Sequence, residues 1–77
     1  MKRICTLKKS FNDGTEILVE FVNVIPNKNR MVIRRIDRDG TKEVNVYNNI
    51  DDERVQRDIA MHKSMGYKER SANSANN

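Results

Sequence analysis

Five cations stand close together at Lys28, Arg30, Arg34, Arg35 and Arg38, against the single acid Asp37. A guanidinium offers a planar fork of donors that fits phosphate or carboxylate bidentately. Such a cluster can therefore grip a phosphodiester backbone or a row of acids on another protein. On an extended chain Arg30, Arg34 and Arg38 recur at intervals of about 13 Å, given ~3.3 Å per residue. Lys2, Arg3, Lys8 and Lys9 form a second basic group near the start of the chain. The candidate partner-binding residues are thus Arg30, Arg34, Arg35, Arg38, Lys8 and Lys9. The same side chains also admit a plainer reading: cross-strand pairing with Glu16, Glu20, Asp37, Asp39 and Glu43, and protection of a sheet edge.

Other reactive residues are sparse. Cys5 and His62 could form a nucleophile and its base, but no motif in the sequence orients them. One His and one Cys cannot fill the tetrahedral shell of zinc. The run Asp51-Asp52-Glu53 could hold a divalent ion, yet it also suits the positive end of a helix dipole. Three scattered glycines do not build a phosphate loop. The expectation is a non-enzymatic chain with no cofactor and no metal.

The elements that must carry these residues follow from periodicity. Ile4 to Phe11 reads as a strand ending at Asn12-Asp13-Gly14, a turn signal. Thr15 to Ile25 reads as a second strand, with Ile17, Val19, Phe21 and Ile25 on one face. Its other face is half polar at the start and apolar at the end, which predicts a bend or bulge. Pro26-Asn27-Lys28-Asn29 reads as a turn, Arg30 to Ile36 as a third strand. Arg34 and Arg35 must then point to opposite faces. A further Asp-Gly hairpin turn at Asp37-Arg38-Asp39-Gly40 leads to a fourth strand from Thr41 to about Tyr47. Asn49 or Asp51 caps a helix to Met65, stopped by Gly66. Val55, Ile59, Met61, His62 and Met65 form its packing stripe.

The predicted fold is α+β: a four-stranded antiparallel meander followed by one C-terminal helix on one sheet face. The predicted domain spans 1–66, with 67–77 a polar tail expected to be disordered. Ile17, Val19, Phe21, Ile33, Val55 and Ile59 are the expected core.

Charge and size bound the function. Residues 1–50 hold ten Lys/Arg and six Asp/Glu, a balance of +4, whereas residues 51–77 hold five of each. The positive excess therefore lies on the predicted sheet. A chain of 77 residues buries little surface, so a deep substrate pocket would consume its core, and a binding surface is expected instead. Dimerisation is one way to add buried area, so a monomer or a homodimer is expected. The lone cysteine fits a reducing cytoplasm, and no apolar run has the length of a membrane span or signal peptide. Sequence-specific single-strand RNA binders usually add stacking aromatics. Here only two Phe and two Tyr are present.

Lys42-Glu43-Val44-Asn45-Val46, followed by a short helix and a polar tail, is similar to the end of the carbon-storage-regulator family. That resemblance implies a small dimer that binds messenger RNA. The chain has Lys8-Lys9-Ser10-Phe11 in place of that family's Arg-Arg and Gly-Glu opening and is one strand short, so the likeness reads as convergent. In general character the chain resembles small phage-encoded proteins that disable a host machine, including inhibitors of CRISPR and restriction systems. That likeness transfers no site residue. It implies a cytoplasmic protein that modulates a host protein or nucleoprotein complex through its basic sheet face. The alternative is an RNA- or DNA-binding regulator using the same strands.

Overall fold

The computed structural model describes residues 1–70. Four antiparallel strands run as a meander, β1 (Lys2–Ser10), β2 (Glu16–Ile25), β3 (Lys28–Asp37) and β4 (Gly40–Ile50). Helix α1 (Asp52–Ser64) follows, then a two-residue strand β5 (Lys68–Glu69). The sheet order is β4-β3-β2-β1-β5. The predicted meander and helix are thus present, but the ordered chain extends past Gly66. Tyr67 packs on the core, β5 pairs with Leu7 and Lys8, and the Arg70 amide donates to the Thr6 carbonyl. The expectation of a disordered 71–77 lies outside the described residues.

Alternation in β2 decides which face is inward. Cys5, Phe21, Met31 and Tyr47 form one cross-strand row, and Leu7, Val19, Ile33 and Asn45 the next. Helix α1 lies over these rows and contributes Val55, with Ile59 at the margin. Phe21 and Leu7 are fully buried, and Val19 nearly so. Of β4 only its last residue, Ile50, joins this core, and residues 40–49 are all exposed.

On α1 the stripe is narrower than the sequence suggested. Val55 and His62 are buried, but Met61 and Met65 are about half exposed. Val55, Ile59 and His62 cluster within 60° on a wheel of about 100° per residue, whereas Met61 falls about 120° from Val55. A single helix on a small sheet buries only the centre of its stripe.

Polar contacts fix where the helix begins. Asp51 is the N-cap, accepting from the Arg54 amide at 2.8 Å. Asn29, almost wholly buried, donates to the Ile50 carbonyl at 2.9 Å and to Asp52 Oδ1 at 2.8 Å. Asn27, in the left-handed region at φ 59°, accepts from the Asp52 amide. The β2–β3 turn and the β4–α1 junction are thereby one hydrogen-bonded unit.

Both Asp-Gly turns close hairpins where the sequence places them. Asp13-Gly14 lies in a loop from Phe11 to Thr15, where Asp13 Oδ1 accepts from both the amide and the hydroxyl of Thr15. In the second, Asp37 pairs with Gly40, so Arg38 and Asp39 are the central residues.

Candidate binding surface

The sheet face away from α1 is uncovered by any described element. Its rows, read across β1 to β4, are Arg3, Val22 and Arg30; then Thr6, Glu20, Val32 and Val46; then Lys8, Leu18, Arg34 and Glu43; then Ser10, Glu16, Ile36 and Thr41. Cations and carboxylates interleave. The four cations Arg3, Lys8, Arg30 and Arg34 face the three acids Glu16, Glu20 and Glu43. Their local balance is +1, well below what the sequence charge of the sheet suggested. Leu18 and Val32 are buried even here, under the neighbouring long side chains. Thr6 is also buried, and its hydroxyl has no hydrogen-bond partner among the described residues.

The structure disperses the predicted cluster. Arg34 Nη1 pairs with Glu20 at 3.0 Å, and its Nη2 lies 3.9 Å from Glu43. Arg35 points to the helix side, at the rim, and meets Asp37 at 3.6 Å. Arg38 is not on β3 but in the turn that follows it, so the expected three-residue stripe is broken. Arg30 stays on the open face, where its Nε donates to Asn48 Oδ1 at 2.8 Å.

Lys8 and Lys9 go to opposite faces, and β2 separates β1 from β3. No continuous basic platform of neighbouring strands one and three therefore forms. Lys8 pairs with Glu16 at 3.3 Å. Ser10 Oγ also donates to Glu16, and together they hold its carboxyl below the usual range, the Ser10 hydroxyl being the larger cause. Lys9 caps the helix C-terminus, donating to the Met65 carbonyl at 2.7 Å above the rings of Phe11 and Tyr67. A surface cleft of about 500 Å³ gathers Lys8, Lys9, Lys68 and Arg70 around Glu69, but the nearby helix C-terminus disfavours an anion there.

Arg34, Arg35 and Lys8 are therefore held by acids, as in the plainer reading. Among the described residues Lys2, Arg3, Lys9, Lys28, Arg30, Arg38, Lys42, Arg57, Lys68 and Arg70 have no carboxylate partner. Four of these ten, Lys2, Arg3, Lys28 and Arg30, lie at one end of the sheet. Sequence reasoning placed Lys2 and Arg3 with Lys8 and Lys9. The register instead aligns Arg3 with Arg30 through Val22.

Cys5 and His62 both pack around Phe21. The Cys5 thiol is buried, and burial pushes its pKa up, opposite to an activated thiolate. His62 Nδ1 donates to the Asp58 carbonyl at 2.7 Å, and the ring stands edge-on to Phe21 and Tyr67. These contacts give both residues packing roles. No group of three or more metal-ligating side chains occurs among the described residues, and no helix there is long and apolar enough to cross a membrane. In comparison with known proteins, no family model, no curated protein and no solved structure matches this chain, so its functional reading rests on the geometry of the open face.

Proposed function

We propose that this chain is a non-enzymatic binding protein that occupies a functional surface of another protein, alone or within a nucleoprotein complex, and so inhibits or modulates it. The observation that carries the reading is the open face itself. Ion pairs hold Arg34, Glu20, Lys8 and Glu16 in place among Val22, Val32 and Val46. A mosaic of fixed charges of both signs complements another protein, where matched potentials set register and exclude wrong partners. A polyanion needs cations that are not already neutralised; two of the four on this face, Lys8 and Arg34, are already paired, and its three carboxylates would repel phosphates. The setting is a host cytoplasm, in the manner of small phage-encoded inhibitors.

The test is affinity purification from bacterial lysate, with and without nuclease. A protein partner that survives nuclease is the expected result. Recovery of nucleic acid alone overturns the reading, as does nucleic-acid affinity falling with salt at a log–log slope of about −0.7 per neutralised phosphate.

A further inference from the structure

One end of the sheet departs from regular pairing in three strands at once. β1 carries an extra residue at Ile4, between Arg3 and Cys5. β2 carries one at Val24, between Asn23 and Ile25, and Asn23 Nδ2 braces it by donating to the Ile25 carbonyl at 2.9 Å. In β4 both Asn48 and Asn49 oppose Arg30, with Asn49 at φ 59°. Bulges re-aim side chains and bend a strand, and they gather at rims and sites. Here they leave Ile4 and Val24 each 40% exposed beside Ile25 at 52%. Val24 and Ile25 are adjacent aliphatic side chains left in water on the wall of one cleft, the kind of surface that marks a contact, whereas Ile4 lines a separate cleft with Arg3 and Asp52.

The cations of this end, Lys2, Arg3, Lys28 and Arg30, have no carboxylate partner. Arg3 and Arg30 flank Val22 in one row, about 10 Å apart at ~4.8 Å per strand. Lys28 lies at the turn. A cleft of about 90 Å³ opens between Ile25, Lys28 and Arg30, with Asn48 and Asn49 on its far wall.

We infer that this end docks an acidic, apolar segment of a partner protein, its carboxylates set between Arg3 and Arg30 and its aliphatic side chains against Val22, Val24 and Ile25. The inference rests on the binding-protein reading above and assigns its contact point. Charge complementarity selects the acids, and the aliphatic residues select their neighbours. Single-stranded nucleic acid would want aromatic stacking, and the exposed residues here are aliphatic. An anionic membrane would meet Asp51, Asp52 and Glu53 at the same end, in the cap and first turn of α1, whereas a peptide can engage the open face alone.

The experiment is a ¹⁵N NMR titration of the full chain. The probe is a short synthetic peptide alternating Glu and Leu at its centre, with Gly-Ser flanks. Expected is saturable binding with shifts centred on residues 3–4, 22–30 and 48–49. Arg3→Gln and Arg30→Gln should each weaken it about tenfold, the loss of one charge-assisted contact. Val24→Ser should weaken it while leaving the spectrum of Phe21 and Val55 unchanged. Absence of saturation overturns the inference, as do shifts centred elsewhere. Oligothymidylate, or vesicles of phosphatidylserine and phosphatidylcholine, perturbing this end where the peptide does not overturns it too. A nuclease-resistant protein partner retained in full by the Arg3→Gln/Arg30→Gln variant overturns it and leaves the binding-protein reading standing.

Discussion

The two faces of the sheet are built from the same strands and held by different physics. On the covered face Leu7, Val19, Phe21 and Met31 meet Val55 in a dry cluster. On the open face of the same strands, Lys8, Glu16, Glu20 and Arg34 lie in a lattice of ion pairs over two buried aliphatic side chains, Leu18 and Val32. Hydrophobic burial is non-directional and insensitive to salt and proton, whereas surface ion pairs are weak and responsive to both. The fold therefore rests mainly on one face, which leaves the other free to be organised for recognition.

Truncating one residue from each face tests that division most directly. Phe21→Ala removes the centre of the covered face and should cost about 3–5 kcal/mol, a large share of the stability of so small a domain. Val32→Ala removes two methyl groups from the open face, worth ~0.8 kcal/mol each, and solvent can relax into the space. Its cost should be about 1–2 kcal/mol. Urea denaturation reads both. Equal losses would mean that the open face is covered in solution, and dependence of the Val32→Ala loss on protein concentration would identify a second copy as the cover.

How much of this was legible in the sequence differs between the faces. The period of two in β2 and the cap and stop residues of α1 were enough to orient Val19 and Phe21 inward and to seat Val55. A local rule sufficed because burial acts residue by residue along a strand. The site on the open face was not legible in that way. Which acid neutralises Arg34 depends on register with two other strands, and strand order is a non-local property. Arg38 was misplaced because β3 ends at Asp37, ahead of the Arg38–Asp39 turn. Asn29 looked like a turn residue, and its burial follows from the helix returning onto the sheet at Ile50. Residues 67–70 read as tail because Lys68-Glu69-Arg70 is polar. β5 is held by backbone pairing with β1, which leaves no side-chain signature, and Tyr67 by its ring against His62.

A smaller effect separates charge from shape on the open face. Arg34→Ala breaks the pairs to Glu20 and Glu43, both part-exposed, and should cost under about 1 kcal/mol. Arg34→Glu sets a third carboxylate between those two and should lower the melting temperature further, because like charges directly opposite on a sheet repel. Added salt should restore much of that additional loss by screening. Thermal melts at low and high ionic strength decide it. A salt-independent difference between Arg34→Ala and Arg34→Glu would mean that this position is packed, and that the open face behaves like the covered one.

The smallest expected effect is the most diagnostic, because it isolates a single charged group of the open face. Glu16 lies on the open face, and the Ser10 hydroxyl and then Lys8 hold its carboxyl below the usual range in the folded state. A group with a depressed folded value binds its proton more readily when unfolded. Its contribution is therefore complete above the ordinary glutamate range and is lost as pH falls through the folded value. Glu16→Gln should make the protein slightly less stable at neutral pH, and the gap to the parent chain should close on acidification. Ser10→Ala should shrink that gap, since the Ser10 hydroxyl is the larger cause of the shift. A Glu16→Gln gap that persists at low pH would show that Glu16 acts through the packing of its methylenes over Leu18 and Ile36 rather than through its charge.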